Sequence, residues 1–355
     1  MLTYCMKKLI QQNAVKVKLI NWKNKVLYPT KLKKIEGNVT EFTYNKIIKS
    51  DDIETMFEGE ISNEVKNHVL SLNLRYRHLS KEEITLHKNI YLDFLDKEIT
   101  SSGPKRQKDW ETGWGQNLSD VLEKGLSSKT LLPYYYRNGV SVMRYKGKFI
   151  LPEDENFETK FISIIQLVLS TKYFKNYDNI YELGSGPCHN TFEFALKTKN
   201  KNFYITDWVS PSLEIANIIE KNKNNFGIET HTFTSNFFNL FEPNEDYKLK
   251  SNSILLTFGS MEQLGADIQG LLDYFLKQEC NNFIHLEPIM ELYNRDTEID
   301  NLAFQYAEKR NYLVGFLPRL LELEKKGIIK VHCCNKIIGG PFHDGFNFLR
   351  WEKLI

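Results

Sequence analysis

Apolar and polar residues follow two different periods along this chain. From 53 to 99 the apolar residues recur at spacings of three and four, which indicates helices packing on one another. Beyond about 160, short apolar runs alternate with helical stretches, a pattern typical of a parallel sheet with helices between its strands. The later runs predicted as strands are 203–206, 228–233, 253–258, 282–287, 328–331 and 346–351.

A hairpin and an acidic stretch separate the two patterns. The strand-like runs 140–145 and 148–151 flank a Lys146-Gly147 turn, which predicts a β-hairpin. The acidic stretch 152–156 follows it. With 355 residues the chain exceeds a typical single domain. We therefore expect a mainly helical N-terminal domain, 1–151, and an α/β domain, 152–355.

Composition narrows the function classes. Hydrophobic residues make up 41% and charged residues 26% of the chain, which is typical of a globular protein, and a net charge of +2 implies no general attraction to polyanions. The lysines of 1–50 alternate as on a solvated face, so nucleic-acid binding there is disfavoured. No segment approaches the roughly eighteen apolar residues of a membrane span, and we expect a cytoplasmic protein. Five cysteines without paired spacing predict free thiols and no zinc site.

The most informative stretch is a glycine turn. The apolar run 179–183 leads into Gly184 and Gly186, and helical spacing follows. Glycines allow a sharp turn close to a ligand, and the helix that follows begins with unpaired N–H groups. This pattern favours a nucleotide site. The third glycine of a dinucleotide fingerprint is missing, because His189 stands there, and this disfavours a nicotinamide cofactor.

An acid follows at the expected separation. The apolar run 203–206 ends in Asp207, roughly twenty residues after the turn, where the second strand of a βαβ unit places an acid on ribose hydroxyls. Turn, helix, strand and acid together predict a ligand that contains adenosine.

The segment Glu182-Leu-Gly184-Ser-Gly186-Pro-Cys188 resembles the acidic-x-Gly-x-Gly-x-Gly motif of class I S-adenosylmethionine-dependent methyltransferases. Asp207-Trp208 is similar to the acid that ends their second strand. The resemblance covers about 160–355 and implies a Rossmann-like, seven-stranded, mostly parallel sheet with a C-terminal antiparallel hairpin, and S-adenosyl-L-methionine as cofactor. Cys188 departs from the motif, since it replaces the third glycine. His189-Asn190 and Leu286-Glu-Pro-Ile289 resemble bacterial members associated with sugar and surface-polysaccharide modification.

The resemblance also implies a set of cofactor-binding residues. Asn236 is the candidate for the adenine amino group and Phe237 for stacking, while Trp208 lies near the adenine or the ribose. The full set is Glu182, Gly184, Ser185, Gly186, His189, Asn190, Asp207, Trp208, Asn236, Phe237 and Phe258.

Acceptor-binding candidates come mainly from the first part of the chain. Trp110 and Trp114 stand in what the sequence predicts to be a polar, glycine-bearing loop, where indole faces suit a sugar ring, although both could equally pin the loop to the core. The other acceptor-binding candidates are Gln116, Asn117, Tyr135, Arg137 and Arg310. These side chains could bind acceptor hydroxyls, cover the cleft or bind an anionic group, or they could serve only in packing and in surface ion pairs.

Three residues are candidates for a catalytic base. Glu262 follows the fourth strand, where open α/β sheets place ligands, although it could simply cap a helix. Glu287 ends the fifth strand, and its register predicts that it faces the cleft. His343 lies in a glycine-rich loop beside Asp344, which could orient it if the loop turns.

These observations predict a methyltransferase that acts on the hydroxyl of a sugar or sugar nucleotide. The alternatives are N-methylation of a peptide or small amine, a nicotinamide-dependent oxidoreductase, and a non-catalytic protein that binds an adenosine ligand. Thr257-Phe-Gly-Ser260 stands where many nucleic-acid amino-methylating enzymes carry Asx-Pro-Pro-aromatic, which counts against base N-methylation. The sequence contains no clear carboxylate cluster, so we predict no metal ion. The acceptor's identity and homo-oligomerisation are left open.

Overall fold

A single mixed sheet runs through residues 43–137, 139 and 142–354, which are the residues described in this computed structural model. Its eleven strands are β1 Lys46–Ile47, β2 Arg75–His78, β3 Met143–Tyr145, β4 Lys148–Pro152, β5 Asn179–Leu183, β6 Asn202–Asp207, β7 Thr232–Phe237, β8 Ser253–Phe258, β9 Asn282–Glu287, β10 Ile329–Gly339 and β11 Phe346–Lys353. Most of 1–50, with its lysines, lies outside the described residues.

The helices of the described part precede, separate and follow these strands. They are α1 Ser50–Met56, α2 Asn63–Leu72, α3 Lys81–Leu95, α4 Gln107–Lys124, α5 Ser128–Leu131, α6 Phe157–Val168, α7 His189–Lys197, α8 Ser210–Asn222, α9 Gln269–Lys277, α10 Glu298–Arg310 and α11 Phe316–Lys325.

The strand order creates a crevice at the centre of the sheet. The order is β1-β2-β4-β3-β10-β11-β9-β8-β5-β6-β7, and the pairs from β9 to β7 are parallel. β5 lies between β6 and β8. The chain therefore runs from β5 to one side of the sheet through β6 and β7, and then crosses to the other side of β5 to form β8. The carboxyl ends of these three strands therefore meet at a topological switch point, where open α/β sheets bind ligands.

Alternating side chains of the central strands fill two cores. In β5, Ile180 packs into one apolar cluster, while Tyr181 and Leu183 pack into another. In β8, Leu256 belongs to the first cluster and Leu255 to the second. Because successive strand residues point to opposite faces, helices cover both faces of the sheet. This accounts for the continuous apolar run that predicted β8.

The expected seven-stranded sheet is wrong in its strand count, because strands of the N-terminal part join the same sheet. The predicted hairpin is confirmed as β3 and β4, with Lys146 and Gly147 both at positive φ, but β3 also pairs with β10 through Tyr145 and Ile338. Of the residues of 43–151 that lie in helices or strands, most are helical. Residues 43–355 form one compact unit, and a domain boundary at 151/152 stays a prediction.

The predicted polar loop that carries the tryptophans is also wrong, because it is part of helix α4. Gly113 and Gly115 lie inside the helix, where each disfavours helix formation by about 1 kcal/mol relative to alanine. The packing of α4 against α8 offsets this cost. Tertiary contact therefore overrides local propensity here.

A buried charge cluster attaches β3 to the C-terminal part of the chain. Arg144 is fully buried, and its Nε donates to Asp344 Oδ1 at 3.0 Å. Its guanidinium also bonds Asp300 on α10, and Lys336 Nζ donates to the other Asp300 oxygen at 2.9 Å. Two buried carboxylates thus share two cations.

We expect Arg144→Met to lower the free energy of unfolding by about 3–5 kcal/mol, since it leaves two buried carboxylates with Lys336 as their remaining cation. Urea unfolding followed by circular dichroism measures this. The matched control is Lys277→Met, which breaks an exposed ion pair with Glu245 and should barely change the midpoint. Equal effects of the two substitutions would contradict a structural role for the cluster.

Candidate functional site

The glycine turn connects β5 to α7 as the sequence predicts. Gly184 and Gly186 have φ of +71° and +54°, and the amides of Gly184 and Ser185 both donate to Thr206 O, at 2.9 and 3.0 Å. Cys188, in place of the third glycine, is buried and also has positive φ, +59°. The backbone therefore keeps the left-handed conformation that a glycine would favour.

Gly184 is required by a close approach between two turns. A Cβ atom there would lie 2.4 Å from the Cβ of Ser260, in the turn after β8. Ser260 Oγ donates to Leu183 O at 2.8 Å, which closes the contact. The turns after β5 and β8 thus form one packed unit.

Asp207 ends β6 and is 3% exposed. Its Oδ2 accepts from the amide of Gly186 at 2.8 Å and its Oδ1 from that of Val209 at 3.2 Å. Burial raises the pKa of this carboxyl to about 7, and the backbone donors oppose the rise. Asp207 therefore holds the glycine turn while it lines the cavity described below.

Glu182 and Asn190 lie behind the turn. Glu182 accepts hydrogen bonds from Thr191 Oγ1 and from Asn190 Nδ2, the latter at 3.2 Å, and burial raises its pKa to about 7. Gln166 Nε2 donates to Asn190 Oδ1 at 3.0 Å. At the first position of α7, burial lowers the pKa of His189 to about 4. Glu182 and Asn190 fix the start of α7, and with His189 they are not among the residues that line the cavity.

A cavity with an empty volume of about 510 Å³ lies over the switch point. Five of the residues that line it come from the turns after β5, β6 and β8: Gly184, Asp207, Trp208, Gly259 and Ser260. Gly184, Asp207 and Trp208 are predicted cofactor residues. The structure thus brings the glycine turn and the acid to one cavity.

The tryptophans of α4 cover this cavity. Trp110 and Trp114, four residues apart on one helix face, stack with ring centroids 5.3 Å apart and an interplanar angle of 23°. A Cβ atom at Gly186 would lie 3.1 Å from the six-membered ring of Trp114. The tryptophans therefore meet the glycine turn itself.

Seven lining residues are not among the site residues that the sequence predicted: Phe238, Leu240, Phe241, Gly259, Ser260, Gln263 and Leu264. Phe237, expected to stack on adenine, is 60% exposed, whereas Phe238 is buried and lines the cavity. Neighbouring residues at a strand end face opposite ways, so an error of one residue exchanges the two phenylalanines. Asn236 and Phe258 do not line the cavity, and the Phe258 ring packs 5.0 Å from that of Phe346.

Two of the acceptor candidates make structural contacts. Asn117 is fully buried, and its Nδ2 donates to Thr130 O at 2.9 Å and to Leu132 O at 3.0 Å. Arg137 donates to the same two carbonyls, at 3.0 and 2.9 Å, and pairs with Asp120. Both tie α4 to the segment after it, and their role at the acceptor stays a prediction. Gln116 is exposed on α4.

A cluster of aromatic and charged side chains surrounds Glu262, and we call it the tyrosine cluster. Burial and, after it, the charge of Glu262 raise the pKa of Tyr135 and Tyr312. The ring of His343 lies 5.1 Å from that of Tyr312, and Arg310 Nε donates to Tyr312 Oη at 3.3 Å. The other members are Tyr136 and Tyr306. The ring centroid of Tyr135 also lies 6.4 Å from that of Trp114, which lines the cavity. The cluster therefore adjoins the cavity.

Glu287 differs from its predicted role. It is fully buried, and it accepts hydrogen bonds from three successive amides, those of Ser260, Met261 and Glu262, at 3.0, 3.1 and 3.2 Å. Burial raises its pKa to about 7. It holds the turn after β8 instead of facing an acceptor.

Asp344, which the sequence predicts as an orienting partner for His343, pairs with Arg144 in the buried charge cluster. Of the three predicted bases, Glu262 and His343 both neighbour Tyr312 of the tyrosine cluster, whereas Glu287 holds the turn after β8. Within the described part of the chain, no group of three or more His, Cys, Asp or Glu side chains could hold a metal ion, and no helix is long and apolar enough to cross a membrane.

No protein-family model matches the chain, and no curated protein matches it in sequence. Several solved structures are similar in fold. The 16S rRNA methylase ArmA is 14% identical, with 68% of this chain and 98% of that chain covered and a TM-score of 0.39. The mitomycin 7-O-methyltransferase MmcR is 11% identical, with 69% and 68% covered and a TM-score of 0.37. Magnesium protoporphyrin IX methyltransferase from Synechocystis PCC 6803 with bound SAH is 8% identical, with 55% and 83% covered and a TM-score of 0.38.

These likenesses concern the fold alone.

We expect Gly184→Ala to destabilise the protein more than Gly227→Ala does. Both glycines have similar positive φ, +71° and +66°, so each substitution incurs about 1–2 kcal/mol of backbone strain. Only at Gly184 does the new Cβ atom overlap another residue, which adds about 1–3 kcal/mol, whereas nothing lies within 4 Å at Gly227. Urea unfolding of the two variants measures the difference, and equal losses would disprove the packed contact with Ser260.

Proposed function

We propose that this protein is an S-adenosylmethionine-dependent methyltransferase. The observation that carries the proposal is the chemistry of the cavity at the switch point. Five of its lining residues are aromatic, one is an acid, and no lysine or arginine is among the described residues that line it. Aromatic faces and a carboxylate favour a cation, and the ligand proposed here carries a sulfonium and an ammonium group.

The cavity also suits an adenosine group. Its walls combine mostly apolar and aromatic side chains with a few polar groups, as small-molecule sites do. The rings of Trp208 and Phe241 lie 5.5 Å apart at one wall and offer apolar faces for a base. Asp207 is positioned to accept hydrogen bonds from ribose hydroxyls.

The same geometry disfavours a dinucleotide. The carboxylate of Asp207 accepts the hydrogen bond of the Gly186 amide, one of the N–H groups that would otherwise face a pyrophosphate. A carboxylate at that position repels phosphate, and no basic side chain among the described lining residues offsets it. This supports the methyltransferase over the oxidoreductase.

The acceptor we propose is a hydroxyl of a sugar or sugar nucleotide. The tyrosine cluster adjoins the cavity and offers aromatic faces for a sugar ring, with Arg310 available to an anionic group. When bound, the cofactor supplies an activated methyl group, so the protein mainly aligns the reactants and excludes water.

We propose Glu262 as the base that takes the acceptor's proton. It lies in the same turn as the lining residues Ser260 and Gln263. Burial raises the pKa of its carboxyl, and the nearby Arg310 opposes the rise. A raised pKa brings a carboxylate closer to the ideal for general-base catalysis near neutral pH. His343, against Tyr312, is the second candidate.

The cofactor proposal is tested by calorimetric titration with S-adenosylhomocysteine and, in parallel, with NADH. We expect micromolar binding of the former alone. Affinity should rise about tenfold from pH 6 to pH 8, because ribose hydroxyls favour the ionised form of Asp207, whose pKa in the free protein is about 7. Asp207→Asn should bind more weakly and without this pH dependence.

Binding of NADH alone would overturn the cofactor proposal. An Asp207→Asn variant with unchanged affinity would refute the ribose contact while leaving the cofactor intact.

The assay uses a sugar nucleotide whose methylation by the wild type releases S-adenosylhomocysteine. With this acceptor, Glu262→Gln should lower kcat by about 10²–10⁴-fold, because the amide keeps the shape of the side chain but cannot accept the proton. Affinity for S-adenosylhomocysteine should not change. Full activity in the variant would exclude Glu262 as the base and would favour an acceptor, such as an amine, that needs none.

A further inference from the structure

Two buried polar atoms of the cavity's lining residues have no hydrogen-bond partner. They are the indole Nε1 of Trp110 and the carbonyl Oε1 of Gln263. Leaving a buried donor or acceptor unpaired is costly, and most such groups in folded proteins are satisfied. Finding one donor and one acceptor in the walls of one cavity points to a ligand that satisfies both.

The surroundings of Gln263 direct its carbonyl oxygen away from other protein donors. The residue is 6% exposed, and its Nε2 donates to Glu262 Oε1 at 2.8 Å. The two branches of an amide point in different directions, so the carbonyl oxygen faces away from Glu262. Gln263 thus connects the proposed base to the cavity.

Trp110 is held by its ring faces and not by its nitrogen. One face stacks on Trp114, and the guanidinium carbon of Arg106 lies 5.2 Å from the ring centroid. The helix is also fixed beside the cavity, since Gln107 Nε2 donates to Trp208 O at 2.9 Å. The indole is therefore positioned before any ligand binds, and its N–H is left to donate.

We propose that Trp110 and Gln263 bind the cofactor directly, the indole N–H donating one hydrogen bond to it and the amide carbonyl accepting one from it. This rests on the proposed function. An adenosine group offers both partners, since its ring nitrogens and hydroxyl oxygens accept and its amino and hydroxyl groups donate. The first tryptophan of α4 then belongs to the cofactor site and not to the acceptor site that the sequence predicted.

The two contacts imply different effects on the free and the bound protein. Trp110→Phe and Gln263→Met keep apolar bulk in the cavity wall but remove the unpaired atom. In the free protein no hydrogen bond is lost at that atom, so Trp110→Phe should cost no more stability than Trp114→Phe, which shrinks the other ring of the same stack. Gln263→Met also removes the Nε2 bond to Glu262, so some loss of stability is expected there. In the complex a polar group of the ligand loses its partner, so affinity should fall by about 5- to 100-fold.

The test measures the affinity for S-adenosylhomocysteine by calorimetry and the stability of each free variant by urea unfolding. Trp114→Phe is the matched control for the indole, since its Nε1 is not among the buried unpaired atoms of the described residues, and it should lose less affinity than Trp110→Phe. Gln269→Met, at an exposed glutamine of α9, should change neither quantity.

The proposal is supported if affinity falls in both variants and Trp110→Phe is no less stable than Trp114→Phe. It is overturned if the wild type binds and either variant keeps its affinity within about twofold. A Trp110→Phe variant that loses more stability than Trp114→Phe would also overturn it, because that result identifies a structural role. A wild type that does not bind S-adenosylhomocysteine defeats the proposed function itself, a result separate from these variants.

Discussion

The site depends on one buried carboxylate, that of Glu287, which accepts hydrogen bonds from three successive amides of the turn after β8. Those bonds fix the position of Ser260, against which Gly184 packs without a side chain. The same turn carries Glu262 and Gln263 to the junction of the cavity and the tyrosine cluster. A residue that touches no substrate thus sets the geometry of both subsites.

Buried acids recur at the ends of the central strands. Asp207 and Glu287 end β6 and β9, Glu182 is the residue before the last of β5, and burial raises the pKa of each to about 7. Each is held by hydrogen-bond donors that stabilise its ionised form, so burial and hydrogen bonding oppose one another. Of the three, Asp207 lines the cavity, and a cation there would shift its balance towards ionisation. Binding of a positively charged ligand would then be coupled to proton release, which ties the charge of the site to its occupancy.

The sequence predicts the part of the site that depends on local chemistry. The glycine turn and Asp207 follow from backbone conformation and strand spacing, and both lie at the cavity as expected. The helix that carries Trp110 was missed because its two glycines disfavour a helix locally, whereas the packing of α4 against α8, a contact distant in sequence, favours it. Phe238 was missed because a strand end leaves the phase uncertain by one residue, and the pairing of β3 with β10 could not be read from either strand alone.

The charge cluster around Arg144 connects this long-range pairing to the chemistry. Arg144 lies on β3, and one of its partners, Asp300, lies in α10, the helix that also carries Tyr306 and Arg310 of the tyrosine cluster. Its other partner, Asp344, follows His343 directly. One guanidinium therefore fixes two of the elements near Glu262, and the early strands that extend the sheet also help to position the tyrosine cluster. A buried ion pair contributes little net stability but is costly to break, so its value here is in positioning.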